Sequence, residues 1–239
     1  MLSSIERVLL EPGFVLHGRA YRETSELLEV FSRDHGRVSL VARGVRRPRS
    51  RLRPLLQPFR PLLLSWSGRA GGLMTLAAAE AAAVPLELAG DCLLSGFYLN
   101  ELLLRFLHRG DPHPQVFGAY AQALARLDGG VGAEPVLRGF EMLLLAESGY
   151  GLNLDHEALS GRPLEPGGRY RYVVERGPIV ADVDDAATYG GSELLAIGRG
   201  EFDDAGAAAT ARRLLRAVLD HHLGGQPLQT RRVARAMRR

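Results

Sequence analysis

Gly13-Phe-Val-Leu-His-Gly-Arg-Ala-Tyr21 alternates with a period of two: Phe14, Leu16, Gly18 and Ala20 fall on one face, and Val15, His17, Arg19 and Tyr21 on the other. That pattern reads as a strand, and the chain around it repeats the signal. Glu26–Ser32 is a second run, stopped by the turn signal Asp34-His-Gly36. Arg37–Arg43 alternates again, with Val38, Leu40 and Ala42 opposite Arg37, Ser39, Val41 and Arg43. Phe59–Ser67 and Leu73–Ala83 supply two more strands, joined by the turn Gly68-Arg-Ala-Gly-Gly72. Between the third and fourth strands lies Gly44–Pro54, too basic and too interrupted by proline for a core element. Five short strands with a long connection after the third predict a small β-barrel of OB type over residues 1–83.

From Pro85 the period becomes helical. Leu86–His108 repeats apolar residues at Leu94, Phe97, Tyr98, Leu102 and Phe106 until Gly110-Asp-Pro-His-Pro114 stops it. Gln115–Leu127 and Glu134–Ser148 follow as helices, and Arg169–Asp184 reads as a small hairpin turning at Arg176-Gly-Pro178. Ser192 is expected to cap a short helix, Ala205–Leu223 forms a longer one ended by Gly224-Gly225, and a last helix begins near Pro227. The expected architecture is α+β: a barrel domain over 1–83, then a helical domain over 84–239 with the hairpin, about 169–184, inserted.

Of the 239 residues, 46% are hydrophobic and 24% charged, a balance that supports a buried core and excludes wholesale disorder. Glu80, Pro85 and Glu87 break the alanine-rich stretch before it reaches the ~18 apolar residues that cross a bilayer. Met1-Leu-Ser-Ser-Ile-Glu-Arg-Val8 carries charges where a signal peptide needs an apolar block. A cytoplasmic protein with no membrane partner is the expectation. The single cysteine, Cys92, forbids an internal disulfide and any multi-cysteine zinc site, and beside Leu93 and Leu94 it reads as buried and inert.

Catalytic signatures are absent. With no lysine in the chain, a Walker-A phosphate grip cannot be built, and there is neither a G-x-S-x-G elbow nor an H-E-x-x-H pair. The seven histidines, among them His108, His113, His156 and the His221–His222 pair, show no metal-ligand spacing. His221–His222 lies at a helix end, where imidazolium suits the dipole. Asp182-Val-Asp-Asp185 and Asp203-Asp204 read as solvated loop acids. No enzyme, metal or cofactor is expected.

Charge is unevenly divided. All 30 basic residues are arginine, and residues 1–80 hold 13 of them against seven acids. From Arg37 to Arg69 there are nine arginines and no acid; a second acid-free tract runs from His221 to the end and carries Arg231, Arg232, Arg235, Arg238 and Arg239. Such fields attract polyanions. Single-stranded nucleic acid is held by cations along the phosphates and flat groups beneath the bases, and guanidinium serves both purposes. His17, Arg19 and Tyr21 share one strand face, Arg37 and Arg43 another, and Arg46, Arg47, Arg49, Arg51 and Arg53 extend the surface as a flexible arm. Tyr21 and Trp66 are either stacking platforms or barrel core. Two other classes fit the same charge: an OB-type RNA-binding or ribosome-associated protein, and an adaptor whose basic tracts meet acidic proteins.

Several segments in order resemble the RecO recombination mediators: Phe14-Val-Leu-His-Gly-Arg-Ala-Tyr-Arg-Glu-Thr-Ser25, Val30-Phe-Ser-Arg-Asp-His-Gly-Arg37, Val41-Ala-Arg-Gly-Val-Arg46, Leu56-Gln-Pro-Phe59, Tyr98-Leu-Asn-Glu-Leu102, Phe140-Glu-Met-Leu-Leu144, Gly149-Tyr-Gly-Leu152 and Leu223-Gly-Gly-Gln-Pro-Leu228. The resemblance spans nearly the whole chain. It implies an OB barrel followed by a helical domain in a bacterial repair protein that binds single- and double-stranded DNA. It also implies annealing of strands coated by single-strand-binding protein and, with RecR, help in loading RecA. The expected DNA-binding residues are Arg19, Arg22, Arg37, Arg43, Arg46, Arg47, Arg49, Arg51 and Arg53. Many members carry a four-cysteine zinc site after the Gly-Tyr segment; here His156-Glu-Ala-Leu-Ser-Gly161 offers no thiol, which suggests the zinc-free branch, with the Tyr170–Val183 hairpin as a local brace. Members also bind the acidic, apolar tail of single-strand-binding protein on the helical domain. Arg138 with Phe140, Leu143 and Leu144 is the candidate seat, the alternative being helix core plus one solvated arginine.

Overall fold

The computed structural model describes residues 5–69, 73–130, 132–182, 185, 187–202 and 204–237. Of the sequence expectations, Met1–Ser4, the tip of the Gly68–Gly72 turn, Val183, Asp184, Asp203, Arg238 and Arg239 lie outside them. The chain divides into two compact units, residues 1–130 and 131–239.

In the first unit, β1 (Ile5–Tyr21), β2 (Ser25–Ser32), β3 (Gly36–Ala42), β4 (Leu62–Arg69) and β5 (Met74–Ala81) form a closed barrel in the order β1-β2-β3-β5-β4. Closure depends on β1, which is long enough to pair with β4 through its first half and β2 through its second. Two irregularities bend it. Between Val8 and Glu11 the register with β4 slips, and the displaced Leu10 amide donates to Ser65 Oγ at 3.0 Å. The second irregularity, between Val15 and His17, resets the alternation. Val15 therefore joins the barrel core, opposite Val30, while His17, Arg19 and Tyr21 lie outside with Glu29, Leu27 and Ser25 as cross-strand partners. This corrects the expectation that Val15 shares their face.

The interior is filled by Leu28, Val30, Leu40, Ala42, Leu62, Leu64, Trp66 and Leu76. Trp66 is 1% exposed, so it is core and offers no platform. The connection between β3 and β4 is not a flexible arm. It is a series of turns closed by bonds such as Ser50 N to Arg47 O and Leu56 N to Leu52 O. Val45 and Leu56 are buried in the barrel core, with Leu52 and Leu55 packed beside them. Prolines did not keep this segment out of the core; its aliphatic residues join the barrel core while its arginines stay in solvent.

Helices α1 (Gly90–Phe106) and α2 (Pro114–Asp128) belong to the same unit. Phe14 and Phe31 leave the outer barrel face to meet Phe117 and Tyr120, with ring centroids 5.1–6.3 Å apart. The β1 irregularity also gives Leu16 O to α1: Asn100 Nδ2 donates to it at 2.9 Å, and Tyr120 OH donates to Asn100 Oδ1. Gly36 closes a second joint. Its φ is +62°, and a Cβ there would lie 2.0 Å from Asp111 O, so only glycine fits this corner.

The second unit contains α3 (Ala133–Glu147), a three-stranded antiparallel sheet, and helices α4 (Gly191–Gly198), α5 (Ala205–His222) and α6 (Gln229–Met237). The sheet has β6 (Arg169–Val173) between β7 (Gly177–Val180) and β8 (Thr188–Gly190), so the expected hairpin acquires a third strand. Glu157 and Asn153 brace the preceding loop: the Glu157 carboxylate accepts Leu159 and Ser160 amides, and Asn153 Oδ1 accepts the His156 amide. Ala158 N donates to Pro178 O, tying that loop to the hairpin. Gly190, not Ser192, caps α4, whereas Asp204 caps α5 by accepting Ala207 N at 2.8 Å. No helix among the described residues is long and apolar enough to cross a membrane.

Candidate nucleic-acid interface

The outer barrel face ends in a cleft of about 540 Å³ lined by Tyr21, Arg22 and Thr24 from the β1–β2 turn, Val41 and Arg43 from the end of β3, Arg47 from the following loop, and Leu73 and Thr75 at the start of β5. These are the segments that OB barrels use to hold oligonucleotides: the face of strands 2 and 3 with the 1–2 and 4–5 loops. Arg22, Arg43 and Arg47 are exposed, and no carboxylate lines the cleft among the described residues. The turn holds Arg22 at φ +54°, an uncommon conformation for a residue with a side chain, and its guanidinium carbon lies 5.3 Å from the Tyr21 ring centroid. Tyr21 is half-buried, leaving part of its ring accessible. A neighbouring cleft of about 700 Å³ holds Arg19 and Arg109 but also Glu6 and Asp34, so its field is mixed.

Beyond the cleft, Arg19, Arg46, Arg49, Arg51 and Arg53 are exposed. Arg46 N donates to Thr24 O at 2.9 Å, which fastens the basic loop beside the β1–β2 turn. Eight of the nine expected arginines therefore face solvent at the barrel. Sequence patterning had no means of adding Thr24 and Leu73 to them, because both join the cleft only through barrel closure.

Arg37 is the exception and a correction. Its side chain is 11% exposed; Nη1 donates to Leu104 O at 2.6 Å and Leu107 O at 2.7 Å, and Nη2 lies 3.3 Å from Glu29 Oε2. A half-buried guanidinium at the C-terminal end of α1 satisfies carbonyls that the helix cannot, and its donors are spent there rather than on phosphate. Glu29 also accepts Arg109 Nη2 at 2.6 Å and Ser39 Oγ at 2.8 Å. Burial pushes the Glu29 carboxyl up, but the bonds from Ser39 and Arg109, the Arg109 charge and the Arg37 bond outweigh it and hold the group below the usual carboxylate range.

The expected tail seat is corrected as well. The Arg138 side chain is 7% exposed, with Nη2 2.7 Å from the fully buried Glu141 carboxylate, while Phe140 and Leu144 lie in the core. Leu143 is half-buried. Val136, Phe140 and Leu144 follow one helical stripe and Arg138, Glu141 and Leu145 the next, so α3 buries both stripes, and three of the four expected seat residues lie in the interior. Of the C-terminal arginines, Arg231 is engaged by Asp220 and Arg232 by Gln229. Among the loop acids, Asp185 pairs with Arg171 at 2.9 Å, and Asp204 is spent on the α5 cap.

Sequence spacing also missed a cluster in the second unit. The β6–β7 turn brings Glu175 to His221 and His222, a set whose donor atoms suit a metal ion. Linear spacing cannot show this, because the contributors come from a turn and a distant helix end.

Comparison with known proteins agrees over the whole chain. Residues 7–84 match the family model described as "Recombination protein O N terminal", and residues 89–232 the one described as "Recombination protein O C terminal". The proteins called "DNA repair protein RecO" from Aromatoleum aromaticum and Azoarcus sp. (strain BH72) are 47% and 46% identical to it, over 99% of both chains for the first and over 95% of this chain and 96% of the relative for the second. The protein of the same description from Nitrosococcus oceani is 48% identical over 98% of this chain and 95% of its own.

Proposed function

The chain belongs to the RecO family of DNA repair proteins, and from that premise we propose that its barrel binds single- and double-stranded DNA along the exposed arginine rim. The observation that carries the reading is the convergence of Arg22, Arg43 and Arg47 with Tyr21 on one cleft without a carboxylate among its described lining residues. Three guanidinium groups neutralise successive phosphates, and the Tyr21 ring offers a surface on which a base stacks. These contacts read backbone and ring faces, so binding is strong at low salt and nearly indifferent to sequence.

Annealing follows from the same charge. Two complementary strands repel through their phosphates, and a cationic rim that holds one strand lowers the cost of bringing the second alongside. No nucleotide hydrolysis is needed; the protein works by binding. In this reading it acts in the cytoplasm at the nucleoid, on strands coated by single-strand-binding protein, and with RecR promotes RecA loading. In the same reading the tail of single-strand-binding protein docks on the second unit.

An annealing assay on strands coated by the cognate single-strand-binding protein, with and without its tail, tests this function. The wild type anneals coated strands, and the combined Arg22→Ala, Arg43→Ala, Arg47→Ala variant anneals them far more slowly. Equal rates for the two proteins contradict the proposal, and a preference for ribose oligomers assigns the barrel to RNA instead.

A further inference from the structure

The end of α5 and the β6–β7 turn place three metal-ligating side chains together. His221 Nε2 lies 3.7 Å from Glu175 Oε1, and donor atoms of Glu175, His221 and His222 all lie within 4.8 Å of one another. The His222 ring is stacked on Tyr150, with centroids 3.9 Å apart and planes inclined by 23°, and it meets His221 edge-on at 5.2 Å. His222 is half-buried and held by that stacking, whereas Glu175 and His221 are exposed and rotate at little cost. Glu175 occupies the corner of its turn at φ +70°.

We propose that Glu175, His221 and His222 form a site for one divalent transition-metal ion of the zinc class. Two imidazoles and one carboxylate are a zinc-type donor set, while calcium and magnesium require oxygen donors throughout. At zinc bond lengths of ~2.0–2.1 Å, tetrahedral donors stand ~3.3 Å apart, so the exposed Glu175–His221 pair must close by only about 0.4 Å and no pair by more than about 1.5 Å. The last carbonyls of α5 place partial negative charge at the same helix end, which favours a cation there. A cleft of about 320 Å³ beside the cluster, lined by Tyr150, Asn153, Glu175 and His222, leaves room for water to complete the coordination. A bound ion fastens the β6–β7 turn to α5 within the second unit, with no residue shared with the arginine cleft, so this site and the DNA reading stand or fall separately.

Full-length protein is stripped with chelator, then titrated with Zn²⁺ by calorimetry and with Co²⁺ followed by visible absorption. The expected result is one ion per chain, an intense cobalt d–d band, and a melting temperature raised by zinc. His222→Ala and Glu175→Gln should each weaken zinc by more than the ~10–100-fold that loss of an outer hydrogen-bond partner costs, and abolish the thermal shift. Glu175→Gln changes one exposed turn residue, and its unaltered circular dichroism separates loss of a ligand from loss of fold. Absence of saturable one-to-one binding, or zinc affinity unchanged in both variants, overturns the proposal.

Discussion

Arg37 and Arg43 project from the same outer face of one short stretch of chain, and they have opposite fates. At the Arg37 end, the barrel meets α1, and two helix-terminal carbonyls and the Glu29 carboxylate consume the guanidinium. At the Arg43 end, the guanidinium is exposed and lines an open cleft with Arg22 and Arg47. Charge density along a sequence is therefore not charge availability. An arginine is offered to a polyanion only where the fold brings no carbonyl or carboxylate within reach.

The contrast is broken most severely by Arg37→Ala. Removing this half-buried guanidinium deletes its charge-assisted bonds to two carbonyls and to Glu29, at a cost of about 3 kcal/mol, so the melting temperature should drop by roughly 10 °C in calorimetry while the salt dependence of DNA binding stays unchanged. At the other end, the triple alanine variant at Arg22, Arg43 and Arg47 should melt like the wild type. It should lose about 100-fold in single-strand affinity at 0.1 M salt, as three phosphate contacts at ~0.7 each require. Fluorescence anisotropy measures that loss.

Glu29→Gln sharpens the structural side. It should cost about 2 kcal/mol at neutral pH by weakening bonds to Arg37 and Arg109. Because the folded carboxyl titrates below its unfolded value, its contribution is complete above that unfolded value, about 4.5, and is lost as pH falls through the folded one. Melting curves of variant and wild type should therefore differ near neutrality and converge in acid. Tyr21→Ala has the smallest expected effect. About 1 kcal/mol of single-strand affinity should disappear with no change in salt dependence, since stacking releases no counterions.

Much of the fold was legible because period and punctuation agree. The alternation over Arg37–Arg43 and the Gly110–Pro114 stop locate β3 and the break between α1 and α2 to within a few residues, and the alternation over Gly13–Tyr21 locates the second half of β1 and its end. The first half of β1 escaped because its slip between Val8 and Glu11 destroys the alternation that marks a strand. β8 is only three residues long, too short to carry a period. Val45 and Leu56 were hidden among prolines and arginines, whose solvation says nothing of the aliphatic residues between them.

The candidate site was legible in charge but not in access. Clustering found the arginines, yet the two most misleading, Arg37 and Arg138, are satisfied by groups whose proximity depends on packing. Leu104 and Leu107 approach Arg37 only when α1 docks on the barrel. Glu141 lies three residues from Arg138, a spacing that predicts an ion pair on a helix but not its burial. Glu175 reaches His221 through tertiary folding alone.

The most direct test of the central claim is the slope of log affinity for single-stranded DNA against log salt, compared between the wild type and the triple arginine variant. With about five phosphates neutralised, the wild-type slope should lie near −3.5, and the variant should be shallower by about 2. A wild-type slope near zero, or identical slopes for the two proteins, contradicts the account.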